Sequence, residues 1–137
     1  MFPPPMPWKS LAPIDLERSY VAFTAGFALR SILRLPSFLG YIRQINRQIE
    51  AAKGIVGYSL AADLLTMRFY NLSVWEDDAQ LQAFVKASPH VGAIAVFRDG
   101  MRAPTVFVRW TVSGAELPLT WADALLRQRA PTKIDTV

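Results

Sequence analysis

A chain of 137 residues that is 52% hydrophobic and only 19% charged has the apolar content of one folded domain and not the composition of a disordered chain. Its formal charge of +4 comes from scattered Lys and Arg, densest at Arg43/Arg47 and Arg127/Arg129, so no basic stripe with interleaved aromatics marks it for nucleic acid. With Cys 0 and His 1, disulfides, thiolate zinc, iron–sulfur clusters, Cys catalysis and a His-rich metal site are excluded, and no metal site is expected.

Residues 1–18 hold Pro3, Pro4, Pro5, Pro7 and Pro13 and read as an extended N-terminal arm that Trp8 can pin to the body. The uncharged run Ser19 to Leu29 falls short of the ~20 residues of a membrane span, and MFPPPMPWKS has no apolar signal core. The expectation is a cytoplasmic protein with no membrane partner. Tyr20 to Leu29 is a strand, with Val21, Phe23, Ala25 and Phe27 on one face and the smaller Ala22, Thr24, Gly26 and Ala28 on the other. Pro36 to Lys53 is an amphipathic helix, with Leu35, Phe38, Leu39, Ile42, Ile45, Ile49 and Ala52 at helical spacing, Pro36 in its first turn and Gly54 at its end.

Ile55 to Ala62 and Thr66 to Trp75 form a hairpin joined by Asp63-Leu64-Leu65. On the second of these strands Met67, Phe69, Asn71, Ser73 and Trp75 share one face. Asp77 caps a second helix with Leu81, Phe84 and Val85 on its apolar stripe, and Ser88-Pro89 opens a further helical segment towards Arg98. Thr105 to Val112 is the fourth strand. Thr120 caps a last helix, Trp121 to Arg129, and the final residues fray.

Strand, helix, strand, strand, helix, strand is the split βαβ order of a ferredoxin-like α+β domain, predicted over residues 19–114. It implies a four-stranded antiparallel sheet with both helices on one face, followed by a C-terminal helix and tail over 115–137. Phe69 and Trp75 are assigned to the helix-free face. Leaving that face in water is unfavourable, so a homodimer joined through it is predicted.

The stretch GIVGYSLAADLLTMRFYNLSVWEDDAQLQAFVKASPH, with its "G-(I/V)-x-G-Y" strand and "F-x-N-L-S-V-W-E-D" run into an acidic helix start, resembles the antibiotic biosynthesis monooxygenase group of the dimeric α/β barrel superfamily. The resemblance covers roughly residues 19–112 and implies a barrel built by two chains. Members include cofactor-free quinone-forming monooxygenases, haem-degrading enzymes, isomerases and cyclases, so the fold alone does not select an activity. The haem-degrading members carry a Trp in the second helix and a His farther on. Phe84 and Ile94 stand at those places here, which argues against haem degradation.

The resemblance implies that Asn71 and Trp75 present an amide and an indole N–H to a substrate cavity, stabilising the anion of an anthrol-like substrate. The alternative is that Trp75 fills the barrel and Asn71 bonds across the sheet. His90, in the first turn of its segment, is expected to be neutral and able to act as a general base, or else to be bonded to backbone or water. Phe69 and Ser73 complete the candidate lining, and Tyr58 and Arg109 are candidate ligand contacts whose face strand parity leaves open.

These readings predict a cofactor-independent monooxygenase-like enzyme for a small apolar aromatic, with Asn71, Trp75 and His90 at one cavity between the sheet and the second helix. The alternative is a non-catalytic homodimer holding a hydrophobic ligand or haem. Haem is the one cofactor left open, because no nucleotide-binding glycine motif is present.

Overall fold

The structure, a computed structural model, describes residues 7–87, 101 and 105–129. In chain order the strands and α-helices are β1 (Lys9–Ser10), β2 (Ser19–Ala28), α1 (Leu35–Ala51), β3 (Ile55–Asp63), β4 (Arg68–Trp75), α2 (Asp78–Lys86), β5 (Val106–Ser113) and α3 (Trp121–Arg129). A 3-10 turn, Ile32–Arg34, leads into α1. The sheet is antiparallel between neighbours, in the order β1-β3-β4-β2-β5.

The four long strands are the predicted ones, and β2–α1–β3–β4–α2–β5 is the predicted ferredoxin-like order. The difference is a fifth strand. Lys9 and Ser10 of the arm pair with Tyr58 and Gly57 on the edge of β3. The arm is fastened there by Leu11 and Ala12 N–H groups on the Val56 carbonyl, at 2.8 and 3.2 Å, and by Lys9 Nζ on Glu50 at 2.7 Å. Two exposed residues carry no strand pattern of their own; the edge of β3 imposes it.

Helix starts follow their caps. Asp77 accepts from Gln80 N–H at 2.9 Å, and Thr120 Oγ1 accepts from Asp123 N–H at 3.3 Å. Helix α1 ends at Ala51, and Gly54, at φ +87, makes the left-handed turn into β3 that a side chain would resist. The segment expected from Ser88 to Arg98 lies outside the described residues.

Both faces of the sheet are apolar, and each has its own cover. One face carries Phe23 and Ala25 of β2 with Trp75 of β4. It packs against Ile45 and Ile49 of α1 and Leu81 and Phe84 of α2. Towards the other end of the same face, Phe69 packs against Phe38, their ring centroids 4.9 Å apart. A bulge at Val56 resets the parity of β3, so Ile55 and Tyr58 also face the helices while Val56 faces away.

This corrects the expected assignment of faces. Phe69 and Trp75 lie on the helix-covered side, within one chain. Period-two alternation shows which residues share a face, but with Leu72 and Val74 on the other side it does not show which face the helices take.

The second face carries Tyr20, Ala22, Leu72, Val74, Val108 and Trp110, all buried. Helix α3 lies across it. Ala124 is fully buried there, Trp121 Nε1 donates to Ser59 Oγ at 3.1 Å, and Gln128 Nε2 donates to the carbonyls of Val106 and Thr24 at 3.0 and 3.3 Å. The Arg127 guanidinium sits 4.5 Å from the Trp110 ring centroid. Glycine leaves room beneath this cover: a Cβ at Gly57 would collide with the Trp8 indole, and one at Gly26 would displace the Gln128 amide. The sheet-to-sheet homodimer was predicted from an uncovered apolar face, and the chain covers that face itself.

Candidate functional site

A cleft of about 280 Å³ opens between the start of α1 and the β3–β4 end of the sheet. Leu35, Phe38, Leu39 and Ile42 of α1 form its roof, and Phe27, Leu60, Phe69 and Asn71 contribute its floor. The i, i+3, i+4, i+7 spacing of the α1 residues places all four on one helix face. Along that stripe Phe38 is buried against Phe69, while Leu39 is 44% exposed at the mouth of the cleft. The helical stripe was legible as core; the part of it that roofs a cavity was not, because spacing alone does not show which apolar side chains meet the sheet and which line a gap.

Asn71 is in register with Ala25 on β2 and Leu60 on β3, so the small alanine leaves room beside it on the β2 side. Its main-chain carbonyl accepts from Thr24 Oγ1 at 2.8 Å on the far face, which helps hold β4 to β2. Its side-chain amide is bonded to no other described residue. An amide with spare donors and acceptors in an apolar cleft is suited to hold one ligand oxygen, because bonds formed away from water are not exchanged for water's own. Phe69, 8% exposed, supplies the adjoining aromatic wall.

The other candidates are placed elsewhere. Trp75 shares the face of Asn71, as alternation requires, but it is fully buried beneath α2, with its ring 4.9 Å from that of Phe84. Its indole N–H donates to Ser73 Oγ at 2.9 Å. Ser73, also fully buried, thus serves as the tryptophan's partner. Neither residue lines this cleft, so among the described residues the cleft takes Asn71 and Phe69 and leaves Trp75 and Ser73 outside it. Burial of an indole demands a partner for its N–H, and the serine two residues earlier on the same face provides it.

Tyr58 faces the helices, but its hydroxyl donates to Glu50 at 2.7 Å and is pushed up to about 12 by burial and by that carboxylate. It is a neutral phenol tying β3 to α1, outside the cleft. Arg109 also lies on the helix face, in register with Phe23, and pairs with Asp78 at the start of α2 at 3.4 Å. It holds β5 to α2 and does not reach the cleft. His90 lies outside the described residues.

No group of three His, Cys, Asp or Glu side chains among the described residues is placed to hold a metal ion. Haem fits the described cleft poorly. An engineered cavity of ~150 Å³ in another protein takes one benzene ring, so about 280 Å³ suits one or two fused rings and not a tetrapyrrole. The described lining residues also offer no imidazole, thiol or thioether as an axial ligand, and the ring of Tyr70, the one phenol in the lining, lies beside Gly26 on the other face of the sheet.

No family model and no curated protein matches the chain. Solved structures do match by shape. SnoaB, a cofactor-independent oxygenase from Streptomyces nogalater, superposes with TM-score 0.58 at 13% identity over 74% of this chain and 96% of its own. An antibiotic biosynthesis monooxygenase superposes with TM-score 0.60 at 14% identity over 66% of this chain and 95% of that one. A dimeric ferredoxin-like protein of unknown function from Thermobifida fusca superposes with TM-score 0.57 at 14% identity over 74% of this chain and all of its own. At these identities the likeness is one of fold, and the fold of this protein is that of the ferredoxin-like antibiotic biosynthesis monooxygenase structures.

Proposed function

We propose that the protein is a cofactor-independent monooxygenase-like enzyme that takes a small, apolar, oxygen-bearing aromatic into the cleft under α1. The observation that carries this reading is the lone Asn71 amide in a cleft otherwise walled by aliphatic and aromatic side chains. That the shape is shared with a cofactor-independent oxygenase supports the reaction class.

The chemistry needs only substrate and dioxygen. A phenol in equilibrium with its CH₂ keto form loses a proton, and the anion passes one electron to O₂. Recombination gives a hydroperoxide at the ring carbon. Loss of water, with the proton returned, leaves a new carbonyl, so that one O₂ yields one quinone oxygen and one H₂O. In this scheme the Asn71 N–H holds the substrate oxygen as it becomes anionic. The apolar walls keep water from competing for it. His90 is assigned the proton on the strength of the sequence. The Trp75 indole, already bonded to Ser73, supports strand β4 and stays off the substrate.

Asn71→Leu keeps the shape of the side chain and the main-chain bond to Thr24 but removes the amide. Oxygen uptake with a two-ring phenol such as 1-naphthol is expected to fall by about 10²–10³-fold, the usual loss for one oxyanion donor. Uptake unchanged by the substitution would refute the assignment. The second reading, a carrier of hydrophobic ligands without chemistry, is supported by a described lining with no carboxylate, amine or imidazole. It predicts binding by the wild type with no oxygen uptake. The dimeric description of one structural neighbour supports self-association of this chain too, at a surface other than the face that α3 occupies.

A further inference from the structure

Five large aliphatic side chains reach into water at one end of the molecule. Leu33 and Ile32, in the 3-10 turn before α1, are 87% and 67% exposed; Leu65 and Leu64, in the β3–β4 turn, are 81% and 55% exposed; and Leu39 near the start of α1 is 44% exposed. The two turns are neighbours, because Ala28 pairs with Arg68 and Leu29 N–H donates to the Met67 carbonyl at 3.0 Å. The cleft opens at this end, with Leu39 and Leu64 both lining it and both reaching solvent. Isolated exposed leucines are ordinary, but five around one cleft mouth form a patch.

Charge at this end has one dominant sign. Arg30, Arg34 and Arg68 are exposed there. Arg30 donates to the Met101 carbonyl at 3.4 Å, and none of the three forms an ion pair among the described residues. Asp63, opposite Arg68 in register, accepts from Leu65 N–H at 3.1 Å within its own turn. Among the described residues, three guanidinium groups therefore stand against one carboxylate at the rim of an apolar patch.

We infer that this end docks on an anionic lipid surface, with the leucine-tipped turns in the interfacial layer and the cleft mouth facing the bilayer. Aliphatic tips ringed by arginine match a surface that is apolar beneath and anionic above. A second copy of the chain is a poorer fit. A two-fold interface presses a patch against itself and would set arginine against arginine. No described helix is long and apolar enough to cross a membrane, so the association is peripheral. That an apolar ligand then enters the cleft directly from lipid rests on the reading of the cleft as a ligand site; the docking itself does not.

Cosedimentation with phosphatidylglycerol–phosphatidylcholine vesicles, and with phosphatidylcholine alone, tests this. Binding to the anionic vesicles is expected, at least about tenfold tighter than to the neutral ones and weakening as salt rises. Leu33→Asp with Leu65→Asp is expected to weaken it on the order of a hundredfold, and Arg34→Glu with Arg68→Glu at least about tenfold. All four positions are exposed and outside the cleft lining, so circular dichroism should be unchanged. Asn71→Leu should leave vesicle binding intact, which separates failure of the docking surface from failure of the cleft. Absence of binding to either vesicle, or binding that both double variants leave unchanged, overturns the inference. So does a dimer in free solution that Leu33→Asp with Leu65→Asp abolishes while vesicles bind nothing; the patch is then an interface between copies.

Discussion

Removal of residues 115–137 is expected to cost more than about 5 kcal/mol, a large part of the ~5–15 kcal/mol that stabilises a domain of this kind. The deletion takes away Trp121, Ala124 and Gln128 together with the Leu117 and Leu119 contacts. It uncovers Val108, Trp110, Leu72 and Val74, which are now all buried. At roughly 25 cal/mol per Å² of apolar area, a few hundred Å² on the sheet and on the helix together reach this figure. The four-stranded ferredoxin-like core would then have one bare apolar face, and concentration-dependent association should accompany the lowered melting temperature. Calorimetry and light scattering check both parts. A truncated chain that melts as the full one does and keeps the same association state would mean that α3 is not the cover of the sheet.

Trp75→Ala is the second large effect, expected to cost about 3–5 kcal/mol and to lower the melting temperature by about 10 °C or more. The tryptophan is fully buried against Phe84 and Leu81, so truncation leaves a cavity that α2 closes only in part. It also strips the Ser73 hydroxyl of its indole donor inside the core. Trp75→Phe keeps most of the volume and should recover more than half of the loss. The contrast with Asn71→Leu is the informative one: substitution at 71 is expected to act on ligand and turnover, and at 75 on folding. A Trp75→Ala protein of normal stability that has lost ligand affinity would place the indole in the binding site after all.

Much of this was legible from residue spacing. Alternation located the four long strands to within about two residues, and Asp77 and Thr120 marked their helix starts, because a capping side chain and an apolar stripe are local signals. The order of elements then left a ferredoxin-like sheet as the economical arrangement. What failed was the choice between two apolar faces of one strand. Leu72 and Val74 are as suited to burial as Phe69 and Trp75, and the choice is settled by how the crossover helices pack on the sheet, a non-local matter. The fate of the helix-free face was illegible for a related reason. The apolar Trp121, Leu125 and Leu126 imply that α3 packs on something; Trp121 and Leu125 are half-buried while Leu126 stays 63% exposed, and Gly26 and Gly57 reveal where the helix lies only once Gln128 and Trp8 are seen above them.

The site was half legible. Asn71 stood out as a polar residue in an apolar strand, and it does line a cleft. Trp75 and Ser73 stood out for the same pattern, yet they satisfy each other, which two residues on one face are placed to do. Tyr58 and Arg109 were captured by carboxylates from distant parts of the chain, Glu50 and Asp78, through contacts that no spacing encodes.

On the proposed reading, the ligand site is the cleft under α1, with Asn71 as its polar contact. Titration of the isotopically labelled protein with 2-naphthol, a two-ring aromatic alcohol, followed by NMR, tests it most directly. Shifts of the Asn71 side-chain amide and of the Leu35, Leu39 and Ile42 methyl groups are expected, all lost in Asn71→Leu. Shifts confined to Trp121 and Ala124 beneath α3, or no shift up to the solubility limit of the ligand, would contradict it.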